Sequence, residues 1–268
     1  MNLFDSHAHY NDEKFDIDRD EIIKETLKND VSNFIVAGYS IESSIKAVEI
    51  VKKYENAYAI VGISPNDLEQ IKTEEEIEKN IKELEKLVLE NNKKAKKIVA
   101  IGEIGLDYYW TKDNMNLQNR IFIKQIELAN TLNLPIVIHT RDAVNDTLKI
   151  LKEHPVIKKG IFHCCPLNRE LVKEGLKLGF FISLSGVITF KNAKNANEII
   201  EMIPEDKLLI ETDSPYLSPE PVRGTRNNCM NVKYVAKKIA DVKAKNIEEI
   251  ADITNKNAKK IFEISDKL

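Results

Sequence analysis

Cysteine is scarce and unpatterned in this 268-residue chain: there are three, two of them adjacent, Cys164 and Cys165. An odd count without framework spacing argues against a disulfide scaffold and for a reducing, cytoplasmic setting. Long apolar runs are missing too. No stretch of about 18 apolar residues occurs, so no membrane span is predicted. The first residues, Met1-Asn2-Leu3-Phe4-Asp5, lack the basic and apolar regions of a signal peptide. Positive charge is not in excess: 40 basic against 43 acidic side chains leave a formal net charge of −3. That excludes a protein held on nucleic acid by bulk charge but permits a nuclease with a small local phosphate site. No Pro/Gly/Ser-rich linker and no low-complexity tract interrupts the chain, which favours one domain over residues 1–268. Nothing in the sequence points to an obligate protein partner.

Apolar residues make up 43% of the chain, enough for a sizeable core, and charged residues 31%, enough for a heavily ionic surface. Short apolar, β-branched runs alternate with charged stretches of helical period. The runs 3–9, 33–38, 57–63, 98–103, 135–139, 160–163, 180–185 and 208–213 predict strands covered on both faces, as in a parallel sheet. The stretches 18–28, 42–54, 73–91, 117–133, 143–153, 169–178 and 193–203 predict helices, with two more at 231–243 and 247–262. Eightfold alternation of strand and helix in a chain of this length predicts an α/β fold, a (β/α)8 TIM barrel, with an open doubly wound sheet as the alternative.

Histidine is nearly as rare as cysteine, and its placement is informative. Of five histidines, His7, His9, His139 and His163 fall at the carboxyl ends of predicted strands one, five and six. Glu103 ends strand four and Asp213 ends strand eight. In a parallel barrel these ends converge on one mouth. His7 and His9, two apart on a strand, share a face and can bind one metal. Four imidazoles and two carboxylates are too many for one tetrahedral ion and match a two-metal site with a shared carboxylate. Zn, Mn or Mg would suit such donors. His154, after a helix, reads as an ordinary surface residue. Six arginines occur, and Arg141, Arg169, Arg223 and Arg226 follow strands five, six and eight. Planar bidentate contacts make Arg141 and Arg223 candidates for holding an anionic substrate, against the plainer reading of surface ion pairs.

The segments Phe4-Asp5-Ser6-His7-Ala8-His9, Gly102-Glu103-Ile104-Gly105-Leu106-Asp107-Tyr108, His139-Thr140-Arg141-Asp142-Ala143 and Glu211-Thr212-Asp213-Ser214-Pro215-Tyr216-Leu217 resemble signatures of the TatD family of metal-dependent deoxyribonucleases. Arg223 to Asn227 and Asn257 to Phe262 resemble its closing motifs, so the likeness spans essentially the whole chain. The resemblance implies an amidohydrolase-type barrel with two divalent ions. His7, His9, Glu103 and Asp213 would hold one ion, and Glu103, His139 and His163 the other, with Glu103 bridging. Two loops depart from the family pattern. Gly62-Ile63-Ser64-Pro65 has serine where the family has a substrate-touching histidine, and His163-Cys164-Cys165-Pro166-Leu167 replaces His-x-Phe-Ser-Gly. The two cysteines read as packing residues rather than extra ligands.

The expected activity is hydrolysis of DNA phosphodiesters, on single strands or strand ends, by a metal-activated water. Asp213 would serve as base, and Arg141, Arg223 and Ser64 would contact the substrate. Two alternatives stand beside it. One is hydrolysis of an ester or amide on the same centre, for example D-aminoacyl-tRNA deacylation. The other is a metal-binding scaffold without activity.

Overall fold

In the computed structural model, which describes residues 1–265, eight parallel strands pair in the order of the chain to form one sheet. They are β1 (Leu3–Ala8), β2 (Val31–Ala37), β3 (Ala57–Val61), β4 (Ile98–Asp107), β5 (Ile136–Arg141), β6 (Gly160–Phe162), β7 (Phe181–Leu184) and β8 (Leu208–Ile210). Helices α1 (Arg19–Lys28), α2 (Ile41–Val51), α3 (Glu74–Asn91), α4 (Met115–Thr131), α5 (Val144–Glu153), α6 (Arg169–Lys177) and α7 (Ala196–Met202) alternate with them, and α8 (Val232–Lys243) and α9 (Ile247–Phe262) follow β8. This is the (β/α)8 barrel that the alternation predicts. Side chains start several of the helices. Ser40 accepts a hydrogen bond from the Ser43 amide ahead of α2, and Thr73–Glu76 and Asn246–Glu249 form reciprocal capping boxes on α3 and α9.

The barrel closes along a seam between the first and last strands. Ala8 and Ser214 form a parallel bridge, the Asp213 amide donates to the His7 carbonyl at 2.9 Å, and the His9 amide donates to the Ser214 carbonyl at 2.6 Å. Lower down, the buried Asp5 carboxylate accepts from the Thr212 amide at 3.0 Å and the Thr212 hydroxyl at 2.5 Å. Inside, Phe4, Ile35, Ile60, Val99, Val137, Ile161 and Leu209 pack together with Ala258, Ile261 and Phe262 of α9, which plugs one end. That leaves the opposite end, where the strands finish, for polar side chains. A larger apolar layer lies between the outer strand faces and the helices.

The strand ends differ from the apolar runs. β4 continues four residues past Glu103 because Gly105, Leu106 and Asp107 pair with His139, Thr140 and Arg141 of β5. Gly105 makes this pairing possible: at φ 139° it lies against the His139 backbone, where a Cβ would collide. β6 and β8 stop early, leaving His163 one residue and Asp213 three residues beyond their strands. Closure of the sheet through the Ala8–Ser214 bridge sets aside the open doubly wound alternative. No helix among the described residues is long and apolar enough to cross a membrane.

Candidate metal centre

His7, His9, Glu103, His139, His163 and Asp213 meet at the mouth of the barrel. Their convergence owes less to regular alternation than the His-x-His spacing implies. β1 is irregular between Asp5 and Ala8, and His9 lies just beyond the strand. The two imidazoles nevertheless bring their Nε2 atoms within 3.2 Å.

Glu103 sits at the middle of the cluster, its two oxygens facing different histidine pairs. Oε1 is 3.2 Å from His139 Nδ1 and 3.6 Å from His163 Nε2; Oε2 is 3.4 Å from His7 Nε2 and 3.7 Å from His9 Nε2. Asp213 Oδ1 adds to the second group, 3.2 Å from His9 Nε2 and 3.8 Å from His7 Nε2. Among the described residues, donor atoms gather in three overlapping groups: His7-His9-Asp213, Glu103-His139-His163 and, deeper, His7-His163-Glu211.

The outward nitrogens explain why these donors can accept a cation. His9 Nδ1 faces the Ala37 carbonyl at 3.1 Å, His139 Nε2 faces Asp107 Oδ2 at 2.9 Å, and His163 Nδ1 faces Glu211 Oε1 at 3.3 Å. Each acceptor claims that nitrogen's hydrogen, so a neutral ring turns its other lone pair inward, towards carboxylate oxygens and other imidazoles. Lone pairs crowded in this way fit binding of a divalent metal.

Charge perturbs the cluster strongly. Burial alone would raise the Glu103 carboxyl, but the charge of His163 and hydrogen bonds from His139, His163 and His7 hold it well below its ordinary value. Burial likewise opposes protonation of His163, yet Glu103 and Glu211 lift it well above the usual imidazole range. Protons and metal ions compete for such nitrogens.

The cavity over the cluster has a volume of about 760 Å³, large enough for a drug-sized ligand. Ser64, Arg141, Cys164 and Trp110 line it alongside the donors. Ser64 is buried in the cavity wall, and its hydroxyl accepts from the Asn66 amide. Arg223 lies outside: its guanidinium stacks over Phe190 at 3.9 Å and reaches the Ser218 carbonyl. Arg169 pairs with Glu198 and Arg226 with Asp18, so for these two the surface-ion-pair reading holds. Cys164 is in the wall, with Sγ 3.2 Å from the Ser185 hydroxyl, and Cys165 is buried beside it; burial pushes both thiols up.

Three carboxylates near the cluster have no role in the sequence reading. Asp67, on the loop after β3, lines the cavity, and its carboxyl is pushed up to about 6 by burial and by the charge of Glu103. Glu211 orients His163 and accepts from the Cys164 amide at 2.6 Å; its second oxygen and His7 Nδ1 are both buried without a hydrogen-bond partner. Asp107 orients His139 and also accepts from Asn66 Nδ2 and from the Tyr109 and Trp110 amides. Asp107→Asn is expected to weaken metal binding about 10- to 100-fold, the usual cost of losing a partner behind a ligand. Calorimetric metal titration checks this; affinity unchanged within a factor of two would remove Asp107 from that role.

Residues 4–263 match the family model described as TatD related DNase. The chain belongs to that family. Among relatives, it is 44% identical to YabD of Bacillus subtilis, named an uncharacterized metal-dependent hydrolase, over 92% of this chain and 94% of that protein. It is 34% identical to YcfH of Escherichia coli, named likewise, over 93% and 91% of the two chains. In three dimensions it resembles YJJV, a TatD homolog from Escherichia coli, with a TM-score of 0.89 at 24% identity over 98% of each chain. Family membership and these relatives make the TatD-family chain a metal-dependent hydrolase.

Proposed function

We propose that this TatD-family barrel, residues 1–268 acting as one unit in the cytoplasm, is a deoxyribonuclease that hydrolyses phosphodiesters of single-stranded DNA or strand ends. The observation that supports this most is Glu103, whose two oxygens each face one histidine pair beneath a cavity that Arg141 enters. His7, His9 and Asp213 would hold one divalent ion, His139 and His163 the other, and Glu103 would touch both. When bound, two such ions acidify water and offset the charge that builds on phosphoryl oxygens.

The protein's own groups supply the rest. The Asp213 carboxylate, through the oxygen not turned to His9, would take the proton of the attacking water as general base. Arg141 holds a neighbouring phosphate through its planar guanidinium. Ser64 donates a hydrogen bond to a phosphate oxygen. Arg223, at the outer edge, meets only a longer strand. The balanced net charge fits a short single-stranded segment better than a long duplex, which would need a wider basic face.

Asp67 favours a second reading. A carboxylate in the cavity suits the ammonium of an aminoacyl ester better than a phosphate. Assaying the purified protein with Mn or Mg on single-stranded DNA and on D-aminoacyl-tRNA separates the two. Cleavage of DNA alone supports the nuclease; deacylation with intact DNA overturns it.

Ser64→His gives a finer test. A protonated imidazole would add a charge-assisted hydrogen bond to phosphate, worth roughly 1–2 kcal/mol over the neutral hydroxyl. KM for DNA is expected to fall about three- to thirtyfold below pH ~6.5, and the gain to fade as the imidazole loses its proton above that. An unchanged KM at pH 6 would take Ser64 out of substrate contact.

A further inference from the structure

The large apolar side chains that the described residues leave exposed include three aromatics, Tyr109, Trp110 and Tyr216, and all three stand beside the cavity mouth. Trp110 is 68% exposed and is the chain's one tryptophan. A single exposed ring is ordinary on a protein surface, but three gathered at one cavity mouth form a contact surface.

The ring is also held in place. Asp107 accepts hydrogen bonds from the Tyr109 and Trp110 amides, so the same carboxylate that orients His139 fixes the turn carrying both rings. Tyr109 meets Trp110 edge to face at 4.9 Å. The Arg141 guanidinium lies 3.6 Å over the Tyr109 ring and 5.4 Å from that of Trp110. An aromatic plane and a cation are therefore fixed side by side at the wall of the cavity that contains the metal-ligand candidates. That pairing matches a nucleotide, whose base stacks and whose phosphate is anionic.

We propose that Trp110, backed by Tyr109 and flanked by Arg141, is a stacking platform for an unpaired nucleobase next to the scissile phosphate. The platform deepens the nuclease reading and rests on it. It gives the protein a grip on single strands that needs no base identity, because every base has a π-face. Paired bases, already stacked on their neighbours, would gain nothing from it.

Trp110 provides its own signal, since no other tryptophan contributes to the fluorescence. Metal-loaded protein is titrated with thymidine 5′-monophosphate and, separately, with deoxyribose 5-phosphate, which carries the same sugar and phosphate without the base. The nucleotide is expected to quench the emission and the base-free sugar phosphate to leave it unchanged. In parallel, Trp110→Ala should raise KM on a single-stranded oligonucleotide about five- to 150-fold with kcat kept within a few-fold, while Trp110→Phe retains most of the affinity. On an abasic oligonucleotide the Ala variant and the native protein should have equal KM.

Equal quenching by both small ligands, or a KM for Trp110→Ala within twofold of native on the oligonucleotide that the native protein cleaves, overturns the platform and leaves the nuclease reading standing. If the native protein cleaves no DNA, the nuclease reading and the scissile-phosphate placement fall together, and the fluorescence pair decides only whether Trp110 stacks a nucleobase: base-dependent quenching supports that stacking, and its absence overturns that too.

Discussion

Glu103→Ala is expected to weaken both halves of the metal centre at once. One oxygen faces His139 and His163 and the other faces His7 and His9, so the substitution removes a donor from each group. Elemental analysis of the native protein should find up to two divalent ions per chain, and the variant should hold neither tightly. Loss of the ions' charge stabilisation, worth several kcal/mol, should lower kcat on the order of 10³-fold. The fold itself should persist, because the site lies at the end of the barrel away from the plug formed by α9. Loss of one ion only, or of none, would count against a shared carboxylate.

Asp213→Asn isolates proton transfer. The residue has φ 56°, a left-handed conformation that asparagine and aspartate tolerate better than other side chains, so the exchange adds no backbone strain. The amide keeps one oxygen for coordination near His9 but lacks the charge needed to take a proton. DNA affinity should stay near native while kcat falls about 10²–10⁴-fold, the usual contribution of general acid–base catalysis. Metal content is measured on the same sample, since Asp213 also belongs to the His7-His9 group. Full activity in a metal-replete variant would end the assignment.

Much of this arrangement is legible in the sequence. Parallel strands covered on both faces must be apolar throughout, so the eight runs are conspicuous, and the histidines and carboxylates at their ends stand out against them. What escaped depends on register. Asp107 lies within the Gly102–Tyr108 motif, but its partnership with His139 follows from β4 running on beside β5, past the charged residue at 103 that ends the apolar run. Glu211 reads as part of the Asp213 motif; only the fold brings it to His163, 48 residues earlier in the chain. Arg223 shows the reverse case. Its position after the last strand suggested the mouth, yet the loop carries it to Phe190 instead. Loop paths are set by contacts far apart in sequence, which periodicity does not encode.

The seam between β1 and β8 sets the order in which this centre can be assembled. Three of the six donors, His7, His9 and Asp213, sit on the two segments that the seam joins, with His7 and Asp213 linked directly through their backbones. A chain still emerging from the ribosome with only its first seven strands has His7 and His9 in hand but no opposing edge to hold them. Metal binding at His7, His9 and Asp213 is therefore expected to follow circular closure of the sheet. The same logic runs backwards for ion exchange. The rate at which bound metal leaves should track transient opening of the β1–β8 edge, a local event, rather than unfolding of the whole barrel.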